Sequence, residues 1–175
     1  PADSVETVHA VKAASEIDGP FYIRLYRPAT PVVHSDGCNF KLGEIEKLRS
    51  GNDVTIVAMG MMTAFALEAA NELSTEGIDC RVLNMHTLKP VDEDTIATSA
   101  LETGAIVTAE EHYIHGGLGS IVAQVLGKTN PVPLEMVALQ GYAESGASEE
   151  LLKKYHISTY DIIAAVRRII SRKTK

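Results

Sequence analysis

The stretch AIVTAEEHYIHGGLGSIVAQVLG, residues 105–127, decides the fold class of this 175-residue chain. It opens with a short apolar run, 105–109, and passes into the charged residues Glu110, Glu111 and His112. It reaches Gly116, Gly117 and Gly119 and closes on an apolar segment with helical spacing. A buried strand, a charged loop and a glycine-rich helix start is how a parallel α/β sheet presents chemistry at its strand ends. The stretch predicts a strand at 105–109 and a helix at 119–127.

Working outward, the same alternation continues in both directions. Strands are predicted at Val54–Ala58, Cys80–Asn84 and 134–138, and helices at 63–76, 92–102, 149–155 and Thr159–Arg172. Alternating strands and helices joined by short loops specify a three-layer α/β/α domain. Its sheet is expected to have five strands, mostly parallel, with one antiparallel edge strand. The turn residues Ser50, Gly51 and Asn52 lie between 44–49 and Val54–Ala58, which suggests an antiparallel hairpin. Upstream, Asp3 or Ser4 is placed to cap a helix with Glu6 in its first turn, and Val5, Val8, Val11 and Ala14 recur at helical intervals. Gly19 and Pro20 end that pattern, and 21–26 reads as a strand. One helix feeding one strand makes no domain, so this piece must pack on the rest of the chain or on another subunit. Pro28, Pro31 and Gly37 mark a linker, with a domain boundary near 34–40.

Composition excludes some functions. Hydrophobic residues make up 45% and charged residues 22%, ordinary for a globular domain. Sixteen basic against 23 acidic residues give a net charge of -7, the wrong sign for a nucleic-acid surface. The one basic cluster, Arg167, Arg168, Arg172, Lys173 and Lys175, suits the last turn of a helix. Cys38 and Cys80 have no metal-ligand spacing and read as reduced thiols, so no metal site and a cytoplasmic location are expected. No apolar run approaches the roughly 20 residues of a membrane span.

Several residues are candidates for chemistry. Glu110, Glu111, His112 and His115 suit proton transfer, an ion pair or a subunit contact, but they do not make the helical H-E-x-x-H zinc motif. The glycines at 116, 117 and 119 would offer free backbone N–H groups to an anion, yet they match no nucleotide-binding motif, and close helix–strand packing accounts for them. Arg24 and Arg27 are expected on one face of the 21–26 run. Arg27, beside the rigid Pro28, is placed for forked hydrogen bonds to phosphate or carboxylate. Met59, Met61 and Met62 read as fillers of a core or an interface.

Together these segments resemble the C-terminal part of transketolase, over nearly the whole chain. PADSVETVHAVKAASEIDGPFYIRLYRPATPVV is similar to the last helix and strand of that family's pyrimidine-binding domain. VTIVAMGMMTAFALEAANELSTEGIDCRVLNMHTLKPVDEDTI, the loop EEHYIHGGLGS and the tail ELLKKYHISTYDIIAAVRRII resemble its C-terminal domain. The resemblance implies that 1–34 is the tail of the pyrimidine-binding domain, 35–42 a linker and 43–175 the C-terminal domain. It implies an enzyme that uses thiamine diphosphate and Mg²⁺ to move a two-carbon ketol unit between sugar phosphates. In that family the diphosphate, the metal and the activating glutamate belong to other parts of the protein. This piece is therefore expected to bind no cofactor and to be inactive alone. Its expected partners are the remaining transketolase domains or an N-terminal subunit, within a homodimer. Arg27, in LYRPATP, matches the family's substrate-phosphate arginine. Glu111 and His112 are expected at an interface. Deoxyxylulose-phosphate synthase and the β subunits of 2-oxo acid dehydrogenases share the glycine loop and the KPVD-like helix start. A partner-docking domain without chemistry is a further alternative.

Overall fold

A computed structural model describes residues 1–35 and 38–173; Gly37 of the predicted linker and Lys175 of the basic cluster lie outside them. Helix α1 spans Ser4–Ser15, and Asp3 is its cap, its side chain accepting the Glu6 N–H at 2.9 Å. The chain then runs through β1 (Glu46–Arg49), β2 (Val54–Ala58), α2 (Met62–Thr75), β3 (Cys80–Asn84) and α3 (Glu93–Thr103). It ends with β4 (Ile106–Tyr113), α4 (Leu118–Lys128), β5 (Leu134–Leu139), α5 (Ser148–Lys154) and α6 (Thr159–Arg172).

The five strands lie in the order β1-β3-β2-β4-β5. All neighbours are parallel except β1, which runs antiparallel to β3 at one edge. This is the expected α/β sheet. Every residue of the central strand β2 is buried, as a parallel strand covered on both faces must be. Alternation divides its side chains. Val54, Ile56 and Ala58 join a core with α2, α6 and Leu152 of α5, while Val57 joins α3 and α4 on the other face. Thr55, on the same face as Val57, satisfies its hydroxyl on Thr103 of α3 at 2.8 Å. Fully buried Ile56, Leu73, Ile162 and Ile169 each contribute on the order of 2 kcal/mol. Met62 is wholly buried, and Met59 and Met61 pack against the two cores, so the methionines are fillers.

Three expectations change. The predicted hairpin does not form, because β1 pairs with β3 and not with β2. The connection crosses the start of β3, where the N–H groups of Asn52 and Asp53 both donate to the carbonyl of Asp79. Gly51 is pressed so close to β3 that a Cβ would lie 2.2 Å from the Cys80 carbonyl carbon. That contact delivers β1 to the far side of β3. The predicted strand at 21–26 also does not form: it stays outside the sheet, and side-chain contacts hold it. Finally β4 runs four residues past Ala109 to Tyr113, carrying Glu110, Glu111 and His112 on a strand end and not in a loop.

The C-terminal arginines are engaged within the fold, as Arg167 pairs with Glu76 while Arg168 and Arg172 share Glu135. They form no free basic patch.

Gly51→Ala should lower stability by about 1–3 kcal/mol, the usual cost of forcing a carbon into a filled site. Thermal unfolding measures it, and an unchanged Tm would contradict the close approach.

Candidate functional site

The strand ends converge where expected, but the glycine loop is already occupied. Glu110 is fully buried at the end of β4, and its two oxygens accept the N–H groups of Leu118 at 2.7 Å and Gly119 at 2.8 Å. A carboxylate of the chain itself thus fills the anion position at the start of α4. Burial raises its pKa, against the opposing pull of those two N–H groups. A Cβ on Gly117 would lie 2.1 Å from Glu110 Oε2, so the glycine is what admits the carboxylate. Close packing explains this loop, with Glu110 as the packed partner.

Glu111 and the 21–27 segment meet beside it. Arg24 Nη1 donates to the Glu111 carbonyl at 3.1 Å, and its guanidinium lies 5.4 Å from the centre of the Tyr26 ring. Tyr26 packs over Gly60, just beyond β2, so tightly that a Cβ there would sit 2.3 Å from its hydroxyl. Burial raises the Tyr26 pKa, and the neighbouring Glu111 charge adds to the effect. Arg24 and Arg27 stand three positions apart, a spacing that strand alternation would not place on one face, and the segment that carries them forms no strand. Arg24 is committed to Glu111, while Arg27 is exposed and joins no ion pair or hydrogen bond among the described residues. His112 and His115 are exposed, and neither hydrogen-bonds to Glu110 among the described residues. His112 instead lies edge-on to Tyr113, which meets the exposed Tyr142 in the same manner.

A second polar cluster, which the sequence pattern did not signal as a site, joins α1 to the sheet edge. Asp3 Oδ2 accepts the N–H groups of Val33 and His34 at 2.7 and 2.8 Å and meets His34 Nδ1 at 2.8 Å. His34 Nε2 lies 2.8 Å from Glu46 of β1. Glu6, fully buried, accepts from Asn84 of β3 at 2.7 Å and lies 4.0 Å from His86. Burial pulls the His34 pKa down, but its bonds to Asp3 and Glu46 and the Glu6 charge outweigh this and leave it raised. Burial opposes the Asp3 charge too, yet three backbone N–H groups and His34 keep its pKa lowered. His86, buried against Phe40 and beside His34, is pushed down to about 4. The sequence signal was Asp3 and Glu6 on a helix otherwise spaced for apolar contact.

Comparison with known proteins decides the family. The model of the transketolase C-terminal domain matches residues 43–162.

The chain belongs to the transketolase family.

It is 42% identical over 174 residues to the 6-deoxy-6-sulfo-D-fructose transketolase subunit SqwH of Clostridium sp. (strain MSTE9), covering 99% of this chain and 54% of that protein. It is 36% identical to an apulose-4-phosphate transketolase subunit of Phocaeicola vulgatus, covering 98% and 55%. A solved split gene transketolase, described as an inactive beta4 tetramer, superposes with a TM-score of 0.96 at 46% identity, covering 99% of this chain and 57% of that one. The chain thus spans about half the length of these relatives.

Thiamine diphosphate and a divalent metal, which the transketolase family implies, do not fit the glycine loop of this chain. Its N–H groups at Leu118 and Gly119 are taken by Glu110, and a diphosphate there would face a buried carboxylate.

Two outcomes test these assignments. Glu110→Ala should cost about 2–4 kcal/mol by orphaning two N–H groups, with Glu110→Gln losing less; equal Tm values for wild type and the alanine variant would refute the cap. His86, whose folded pKa lies below its ordinary 6.5, contributes stability that is present above pH 6.5 and lost as pH falls toward 4. The loss is of order 1–3 kcal/mol. His86→Gln should flatten that part of a stability–pH curve, and identical slopes would refute it.

Proposed function

We propose that this chain is the C-terminal part of a thiamine-diphosphate-dependent transketolase that moves a two-carbon ketol unit between sugar phosphates. Residues 1–34 are the end of the pyrimidine-binding domain, 35–42 a linker and 43–175 the C-terminal domain. The start of the family match at residue 43 supports that division. The cofactor and its Mg²⁺ belong to the rest of the enzyme, and this part alone has no transketolase activity. Its partners are the remaining transketolase domains or an N-terminal subunit, and the complete enzyme is a dimer.

The observation that carries this reading is where apolar surface remains. Of the eleven large hydrophobic residues left exposed among the described residues, seven fall before residue 35, among them Val8, Val11, Phe21, Tyr22, Leu25 and Val32. The α/β unit from β1 onward covers its own core, while the first segment does not, as the edge of a second domain would behave. Arg27 grips the substrate phosphate: it is exposed, unpaired and next to a tyrosine anchored at the end of β2. Glu111 and His112 lie at the contact with the partner. For Glu111 the contact is shared with Arg24. The inactive beta4 tetramer of the similar split enzyme favours a second reading, in which this chain also associates with itself when its partner is lacking.

Purified chain alone should not turn over xylulose 5-phosphate, and adding the missing transketolase portion should restore turnover. Turnover of pyruvate with an artificial electron acceptor instead would move the assignment to the 2-oxo acid dehydrogenases. In the reconstituted enzyme Arg27→Ala should raise KM for phosphorylated substrates by about 10- to 100-fold, the loss of a charged hydrogen bond. An unchanged KM would remove Arg27 from the phosphate site.

A further inference from the structure

The joint between α1 and β1 brings three ligand atoms of different kinds to one point. A ring nitrogen of His34, the sulfur of Cys38 and a carboxylate oxygen of Glu46 all lie within 4.8 Å of one another. His34 is buried, while Cys38 and Glu46 are half-buried. The histidine is held in the orientation a metal ligand needs. Its Nδ1 faces Asp3 Oδ2 at 2.8 Å, and Asp3 is itself fixed by the backbone N–H groups of Glu6, Val33 and His34. A carboxylate accepting from Nδ1–H fixes the ring so that Nε2, once deprotonated, turns its lone pair outward, the arrangement that orients metal-bound imidazoles. That second nitrogen, Nε2, points at Glu46 Oε2 from 2.8 Å.

The charge around this point favours a cation. Asp3, Glu6 and Glu46 surround one imidazole, with Glu6 Oε1 3.9 Å from His34 Nε2. Among the described residues no lysine or arginine pairs with any of these three carboxylates; their ion-pair partners are His34 and His86.

We propose that His34, Cys38 and Glu46 form a binding site for a zinc-class divalent ion. His34 Nε2, the Cys38 thiolate and a Glu46 oxygen are the three protein ligands, Asp3 orients the imidazole, and water takes the fourth position. The mixture of nitrogen, sulfur and oxygen selects zinc over magnesium or calcium, which prefer oxygen alone. Two ligands of a tetrahedral ion with bonds of about 2.0–2.1 Å stand roughly 3.4 Å apart. Glu46, on the edge strand with its side chain 31% exposed, has room to draw back by that difference. In the metal-free chain burial, and then the charges of Glu46, Glu6 and Asp3, push the Cys38 thiol up to about 11. The ion therefore displaces two protons to solvent, that of the thiol and the Nε2 proton that bonds Glu46, takes the position between His34 and Glu46, and leaves the Nδ1 proton on the ring, donated to Asp3. Binding strengthens as pH rises. The ion would cross-link the segment after α1 to β1, clamping the first 34 residues to the sheet.

The test uses the chain stripped with a chelator and then titrated with Zn²⁺ by calorimetry and with Co²⁺ by absorption. One equivalent should bind with release of protons, Zn²⁺ should raise Tm, and Co²⁺ should show a thiolate-to-metal charge-transfer band. Cys38→Ser should abolish that band, and both Cys38→Ser and Glu46→Gln should weaken binding by at least about tenfold. Each variant changes one or two atoms, and circular dichroism of the metal-free protein checks its fold. His112→Ala with His115→Ala should leave binding unchanged. No stoichiometric uptake, equal uptake by Cys38→Ser, loss of uptake in the His112/His115 variant, or equal competition by Mg²⁺ would each overturn the proposal.

Discussion

The buried carboxylate of Asp3 is the constraint on which the arrangement of this chain depends. It accepts from the Glu6 N–H, the Val33 N–H, the His34 N–H and the His34 ring. One side chain thus caps α1, fixes the chain 30 residues later and aims an imidazole at β1. The bonds must be nearly complete, because a buried charge lacking even one partner costs several kcal/mol. Glu6 extends the joint to Asn84 at the end of β3, and Thr63 at the start of α2 donates to Asn84 in turn. The helix that contributes little to the apolar core is therefore docked by polar contacts, the opposite of how α2 and α6 are held.

The same logic governs the strand ends on the other side of the sheet. Glu110 places a negative charge where an open α/β sheet normally leaves backbone N–H groups for a ligand. An internal anion rigidifies the turn into α4 and removes it from phosphate recognition. Arg27 stands outside the sheet, exposed and without an ion pair or hydrogen bond among the described residues. On the proposed function this division would separate two tasks: the α/β unit would supply a stable wall, and the segment before it would carry the side chain that reaches the substrate.

Much of this was legible from periodicity. The strand Cys80–Asn84 and the helix Thr159–Arg172 fall at the predicted residues because continuous apolar runs and a wide amphipathic stripe each admit one reading. The hairpin misled because turn residues specify a reversal but not the neighbour. Choosing β3 over β2 rests on the contact between Gly51 and the Cys80 backbone, across 29 positions. Glu110 reads as one of several charged loop residues suited to proton transfer, an ion pair or a subunit contact, because its true partners are backbone N–H groups eight and nine residues away. The His34, Cys38 and Glu46 trio was invisible to spacing rules. Its members straddle an irregular segment and an edge strand, and only folding brings them together.

These joints bear on how Arg27 is presented. Tyr26 is wedged over Gly60, Arg24 is bonded to Glu111, and six residues after Arg27 the chain is caught again by Asp3 at Val33. The backbone on either side of Arg27 is therefore fixed to the sheet without any regular secondary structure. An arginine on a free loop would lose that freedom on gripping a phosphate, at about 1–2 kcal/mol per ordered residue. Here the contacts at Arg24, Tyr26 and Val33 already restrain the chain on both sides of Arg27. With Arg27 on the substrate phosphate as proposed, loosening the anchor at Tyr26 or at Asp3 should then weaken phosphate binding. The polar joint at Asp3 and Arg27 belong to one short segment restrained at both ends.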